Sequence, residues 1–299
     1  PPIMMIFARV GTTDTATYEM YPECVSDDSV LEQEFGERFN KIALLKARTS
    51  IKELSGGLTN RNFLIETPAD KYVARVSSNS SDFLAIDRGS EFINTTIAGK
   101  GGVGAEVLDY IPGEGLLLIS YISGKTYGAA DVGANLPRIA TSLRALHSLK
   151  PFDHEFNMFN TQSNYLKIVK EQGFRVPEGY VDFDPMVAQI KKAFEVLFEG
   201  LVPCNNDLLP GNFIDDGKKI WLIDYEYSGN NDACFEIGNV WAEAFLPIEA
   251  LEELVTAYFG SHRPDKVARA WLWALMAKYG WTLWASIQDS VSEIEFDFW

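Results

Sequence analysis

The segment from Pro203 to Gly229, PCNNDLLPGNFIDDGKKIWLIDYEYSG, holds three oxygen donors in an order that suits chemistry. Asp207 is followed by Asn212, and Asp224 comes after the turn signal DDGK. Phosphoryl transfer asks for such a set: a carboxylate to orient and deprotonate an attacking hydroxyl, and an Asn and an Asp to hold Mg²⁺ against nucleotide phosphates. The alternative is an acidic surface hairpin, since Asp and Asn are common in turns. The apolar run Trp221 to Ile223, feeding straight into Asp224, favours the site.

Those residues need elements to carry them. Leu31, Phe35, Phe39, Ile42 and Leu45 recur at helical spacing, which predicts a helix over Val30 to Ala47. Ile51 to Leu54, Phe63 to Glu66 and Tyr72 to Val76 read as short strands separated by SGGLTNRN and TPAD. Ser81 and Asp82 offer caps for a helix running to about Ala98, broken by Gly101, Gly102 and Gly104. Glu106 to Tyr110 and Leu116 to Tyr121 pair across IPGEG as a hairpin. Beyond Gly124 helices are predicted over Leu136 to Leu149, Asn160 to Gln172, Met186 to Phe198, Glu249 to Phe259 and Lys266 to Gln288. Two short strands, Asn212 to Ile214 and Ile220 to Ile223, interrupt them. The reading is an α+β, bilobal chain: residues 1–28 as an extension of unassigned role, residues 29–122 as a β-rich N-lobe with one main helix, and residues 123–299 as a mostly helical C-lobe.

Composition narrows the partners. Against 26 Lys and Arg stand 42 Asp and Glu, a formal charge of −16, which repels nucleic acid and anionic membrane. The apolar stretch Ala270 to Gln288 contains Lys278 and reads as a buried helix rather than a membrane span. Cys24, Cys204 and Cys234 are three, widely spaced, and without CxxC or metal-ligand spacing, so the expected location is reducing and cytoplasmic. His147 lies on an amphipathic helix as a structural hydrogen bonder. With His154 and His262 in polar loops, no triad or zinc site assembles.

At this point the chain resembles the aminoglycoside phosphotransferase-like kinases, and among them the choline/ethanolamine kinase branch. That family's catalytic loop reads HNDxxxxN and is followed by a metal-binding Asp in IDxEY. Here Asn205, Asn206, Asp207 and Asn212 stand in the first motif, and Ile223, Asp224, Tyr225, Glu226 and Tyr227 in the second. The resemblance continues through Phe235 to Glu243 (FEIGNVWAE) and Trp281 to Phe296, and it covers the chain from about Leu31 onward. It implies a protein-kinase-like fold and an enzyme, a cytoplasmic choline kinase-like phosphotransferase with ATP as co-substrate and Mg²⁺ as cofactor.

The roles of the remaining residues come from that resemblance. The loop Ser55, Gly56, Gly57, Leu58, Thr59, Asn60 would bring backbone N–H groups to phosphates. Arg75, in VARV, would take the place of the kinase lysine with Glu91 as ion-pair partner, and Ser120, Tyr121 and Ile122 would meet adenine through backbone groups. On the last long helix Trp273, Ala277, Trp281, Trp284 and Gln288 fall along one stripe. Periodicity alone leaves such a stripe as core. The resemblance makes Trp281 and Trp284 a cage for a quaternary ammonium, with Glu226, Tyr227 and Glu243 beside it, and leaves Trp273 as core. Ethanolamine or an aminoglycoside is the alternative acceptor. A third reading, a ligand-binding pseudokinase, rests on Asn205 standing where the family has His; Asn both donates and accepts, so it can replace a structural His.

Overall fold

The computed structural model describes residues 28–54, 57–77, 83–292, 294 and 296–299. Ser55, Gly56, Ser81, Asp82 and residues 1–27 lie outside that set.

Helix α1 (Asp28–Phe39) leads into β1 (Ser50–Leu54), β2 (Asn60–Glu66), β3 (Lys71–Ser77), α2 (Arg88–Lys100), β4 (Val107–Ile111) and β5 (Leu116–Ser120). The five strands form one antiparallel sheet in the order β1-β2-β3-β5-β4. Alternation sorts their side chains. Ile51, Phe63, Ile65, Ala74, Val76, Leu116 and Leu118 bury against Leu31, Phe35 and Phe39 of α1. On the opposite face Val73, Leu117 and Ile119 meet Phe92 of α2, and Arg75 falls on this same face between Ala74 and Val76. The period of 2 therefore sends a lone guanidinium away from the α1 core and toward the second lobe.

Two expected helices are shorter than their apolar spacing suggests. Helix α1 stops at Phe39, and Ile42 and Leu45 reach the same core through a separate 3₁₀ turn, Ala43–Leu45. Helix α2 starts at Arg88 rather than near Ser81: Ala85 takes a left-handed φ of 54° and breaks the chain. Asp87 then caps the helix, its Oδ1 accepting from the N–H groups of Gly89 (2.9 Å) and Ser90 (3.0 Å).

The second lobe contains β6 (Lys125–Thr126), α3 (Ala129–Ala134), α4 (Leu136–His147), α5 (Met158–Gln172), α6 (Asp184–Val196), β7 (Val202–Cys204), β8 (Phe213–Asp215), β9 (Ile220–Leu222), β10 (Gly229–Asn231), α7 (Ala233–Glu243), α8 (Ile248–Phe259) and α9 (Pro264–Val291). Among the described residues no helix is long and apolar enough to cross a membrane. Helix α7 has no counterpart among the expected elements, and Cys234 to Val240 within it are all buried. It packs tightly on α9: a Cβ at Gly238 would run into the carbonyl of Ala270.

The short strands of this lobe place its acidic loops. β8 pairs with β9 (Phe213↔Leu222) and β7 pairs with β10 (Gly229↔Cys204). The loop from β7 to β8 (residues 205–212) and the loop from β9 to β10 (residues 223–228) are thereby forced side by side.

The α1–sheet contact carries a direct test. Phe63 is fully buried, with its ring 4.6 Å from Phe35 and 5.6 Å from Phe39. Phe63→Ala is expected to cost about 3–5 kcal/mol in urea denaturation, the range for truncating a buried aromatic. A loss under about 1 kcal/mol would mean that α1 does not bury the sheet.

Candidate active site

The two adjacent loops are joined by one side chain. Asn205, fully buried, donates from Nδ2 to the carbonyls of Ile223 (3.1 Å) and Asp224 (2.7 Å), and its Oδ1 accepts from the N–H of Asp207 (3.1 Å). Asn212 closes the other end. Its Nδ2 donates to the Asp207 carbonyl (2.7 Å), and its own carbonyl accepts from the N–H of Ile223 (3.0 Å). Asp207 and Asn212 share one loop, and hydrogen bonds of the Asn205 side-chain amide bring Asp224 of the other loop beside them.

Helix α7 supplies a support that sequence reading left unassigned. Glu236 has no exposed surface, and its two oxygens accept the N–H groups of Asn205 (2.9 Å) and Asn206 (2.7 Å). Asn206 is left-handed, φ 68°, a conformation that Asn tolerates better than most residues. Its amide is used fully: Nδ2 donates to the Tyr227 carbonyl (3.0 Å), and Oδ1 accepts from Asn231 (2.9 Å). The available signal was Glu236 itself, a lone carboxyl in the apolar run CFEIGNV. His147 stands behind it, with Nε2 3.8 Å from Glu236 and Nδ1 2.7 Å from the Tyr258 hydroxyl.

Asp224 is also left-handed, φ 64°, which turns its carboxyl toward the N-lobe. Its Oδ1 accepts from Arg75 Nη2 at 2.6 Å, and the same nitrogen lies 3.2 Å from Glu91. Arg75 is buried. Burial opposes its charge, but Asp224, Glu91 and Glu226 outweigh that and keep it firmly protonated.

Glu226 and Tyr227 are neighbours that face opposite ways. Glu226 does not join the aromatic group expected for the acceptor. Its carboxylate takes hydrogen bonds from Thr59 Oγ1 (2.5 Å), Asn60 Nδ2 (2.8 Å) and Arg88 Nη1 (3.2 Å), and so ties the N-lobe to the second loop. Burial, then Asp224 and Glu91, push its pKa up despite Arg75 and Arg88. Near Glu226, Gly57 sits so close to the Asn60 carbonyl that a Cβ would collide with it. Gln288, from the end of α9, reaches over to the Leu58 carbonyl (2.7 Å).

Tyr227 turns toward α9. Its hydroxyl accepts from Trp284 Nε1 (2.7 Å), and its ring lies edge-on to Trp281 with centroids 5.0 Å apart. Trp281 and Trp284 are half-buried. Trp273, on the same helix, is buried and stacks on Phe194 at 4.1 Å. Glu243, at the end of α7, is bonded by Lys278 Nζ at 2.8 Å. Tyr121 and Ile122 line a cavity of about 320 Å³ with Ser120, Glu106, Asp216 and Trp221.

The site is dominated by carboxyl groups. Burial raises the pKa of Asp207 well above the ordinary range, and Asp224, Glu226, Glu243 and Glu236 raise it further. Such crowding of like charge favours entry of cations. The donors suit a hard one: Asn212 spends its Nδ2 on the Asp207 carbonyl and Asp224 spends Oδ1 on Arg75, so one amide oxygen and one carboxylate oxygen remain for a metal such as Mg²⁺.

Known proteins are similar to this chain in sequence and in fold. The choline/ethanolamine kinase family model matches residues 51–253. Protein LicA of Haemophilus influenzae is 27% identical over 210 residues, 68% of this chain and 61% of LicA, so the chain spans about three fifths of that relative. Ethanolamine kinase 1 of Mus musculus is 26% identical over 297 residues, covering 83% of this chain and 80% of that protein. A solved structure of a choline/ethanolamine kinase family protein from Mesorhizobium loti superposes with a TM-score of 0.78 at 29% identity, over 90% of both chains.

The support from α7 is testable without an assay of any substrate. Glu236→Gln keeps the size but offers one acceptor where two backbone N–H groups need two, leaving a buried donor unmet. The expected loss is about 1–3 kcal/mol of stability by chemical denaturation. An unchanged midpoint would show that other bonds hold residues 205 and 206.

Proposed function

The chain belongs to the choline/ethanolamine kinase family, and on that premise we propose that it transfers the γ-phosphate of ATP to the hydroxyl of choline, giving phosphocholine and ADP. The observation that carries this reading is the Asn205-centred junction, which groups Asp207, Asn212 and Asp224 beside Arg75. Asp207 orients the acceptor hydroxyl and takes its proton as the oxygen attacks phosphorus in line. Arg75, steadied by Glu91, meets the α- and β-phosphates, and the loop Gly57 to Asn60 closes over them from the N-lobe. Asn212 and Asp224 would hold Mg²⁺, which when bound neutralises charge on the phosphates and on the departing ADP. Glu226 keeps the N-lobe loop and α2 in register with Asp224 rather than touching the acceptor.

The acceptor's cationic head is assigned to Tyr227, Trp281 and Trp284, with Glu243 at the rim. A trimethylammonium has no N–H to donate and is bound through aromatic faces, whereas a primary ammonium asks for hydrogen-bond acceptors and holds its water more tightly. The converging rings of Tyr227 and Trp281 supply the first kind of site. The donor and acceptor contacts of Asn205 favour a working site over the pseudokinase alternative, because they hold the two loops together as a structural residue at this position would.

Coupled ADP release with Mg-ATP and a panel of choline, ethanolamine and aminoglycosides tests the reading. Asp207→Ala should lower kcat on the order of 10²- to 10⁴-fold while keeping a cooperative unfolding transition. A mutant with near-native kcat would remove Asp207 from the chemistry. Native kcat/KM should be higher for choline than for ethanolamine, and Trp281→Ala or Trp284→Ala should raise KM for choline more than for ethanolamine. Each lost face should cost about 1–2 kcal/mol, roughly five- to thirty-fold. Equal effects on the two amines would return these tryptophans to core packing.

A further inference from the structure

Glu243, one of the carboxylates whose charge reaches Asp207, is already engaged by an internal ammonium. Lys278 Nζ donates to Glu243 Oε1 at 2.8 Å and lies 5.0 Å from the centroid of the Phe245 ring. The pair is not a freely solvated surface contact: the side chains keep 30% and 14% of their exposure. Phe245 is 72% exposed and held at a left-handed φ of 51°, an uncommon state for a bulky residue, just past the end of α7. Lys278 sits one helical turn before Trp281 on α9, so the ion pair and the aromatic group share one rim. The Gly238 contact that sets α7 against α9 also brings Glu243 and Lys278 together.

We propose that Lys278 sets which amine this site accepts: by taking Oε1 of Glu243 and placing a positive charge beside the remaining oxygen, it weakens the hydrogen-bond acceptor that a primary ammonium needs, and it costs a quaternary ammonium nothing of that kind. The inference rests on the amino-alcohol kinase reading above. The physical distinction is between charge and hydrogen bonding. Repulsion by the Lys278 charge falls on choline and ethanolamine alike, because both carry one positive charge. The hydrogen bond to Glu243 is open only to a head group with N–H, and a charge-assisted bond of that kind is among the stronger ones. The engaged Oε1 and the adjacent ammonium therefore weaken the bond that Oε2 can offer ethanolamine, and penalise that amine selectively. A lysine that only buttressed the α7–α9 packing would, on removal, change both acceptors by the same factor.

Lys278→Met keeps the length and the contact with Phe245 and frees Glu243. The measurement is kcat/KM for choline and for ethanolamine with Mg-ATP in the native enzyme and in Lys278→Met, each with and without Glu243→Gln. The expected result is a fall in the choline-to-ethanolamine ratio of roughly three- to tenfold in Lys278→Met, largely reversed by adding Glu243→Gln. Should Lys278→Met lose its cooperative unfolding transition, Lys278→Leu serves the same comparison, since it too has no N–H to donate to Glu243. A ratio that stays constant or rises overturns the inference even when choline is the better native substrate. A native preference for ethanolamine together with a falling ratio overturns the choline reading and upholds Lys278 as the selector. No turnover of either amine by the native enzyme overturns both.

Discussion

Two loops from different strand pairs must lie in contact for Asp207, Asn212 and Asp224 to act as one group, and the buried Asn205 carboxamide is what joins them. It reads three backbone groups at once, two on the second loop and one on its own. Glu236 then fixes the stretch from behind through two charge-assisted bonds to N–H groups, the kind of acceptor that a buried turn without regular hydrogen bonding requires. The strand pairs β7–β10 and β8–β9 set the coarse spacing. The side-chain amides finish it.

That junction concentrates negative charge. Asp207, Asp224, Glu226, Glu236 and Glu243 surround one region, and Arg75, Arg88 and Lys278 reach into it from β3, α2 and α9. A buried charge persists only when it is paired or hydrogen-bonded, and each internal cation here satisfies a carboxylate while leaving part of the site free for an incoming one. The bilobal design answers part of the same demand, because Arg75 and Arg88 come from the N-lobe while Asp224 and Glu226 come from the second lobe. Arg75 meets Asp224, Arg88 meets Glu226, and Thr59 and Asn60 bond the same Glu226, so the ionic contacts of the site also bind the lobes together.

The aromatic side of the site depends on helix packing instead. Trp281 and Trp284 are aligned by the helical period of α9, and Tyr227 reaches them only because the second loop turns at Asp224. Glu226 and Tyr227, adjacent in the chain, therefore serve opposite neighbours: one the N-lobe loop and α2, the other the long helix. The tight approach of α7 to α9 at Gly238 sets Glu243 opposite Lys278.

Local patterns were enough to read much of this from the sequence. Period-2 runs such as Phe63 to Glu66 and Tyr72 to Val76 identify the N-lobe strands, local patterns identify α4 to α6, α8 and α9, and the order Asp207, Asn212, Asp224 suggests the proposed chemistry, because each of these signals lies within a short stretch. Signals failed where they were degenerate. Ser81, Asp82 and Asp87 are all cap residues, and only the turn at Ala85 decides which one starts α2. Helix α7 contains an unbroken buried run, Cys234 to Val240, that gives no alternation of buried and exposed faces along that stretch. What the tertiary structure alone decided is which groups face each other: Asn205 to Asp224, Glu236 to the loop of residues 205–212, Glu226 to Thr59 and Asn60, and Lys278 to Glu243. Partners so far apart in the chain leave no local pattern, and a hydrogen bond needs a distance and an angle that only the packed strands and helices supply.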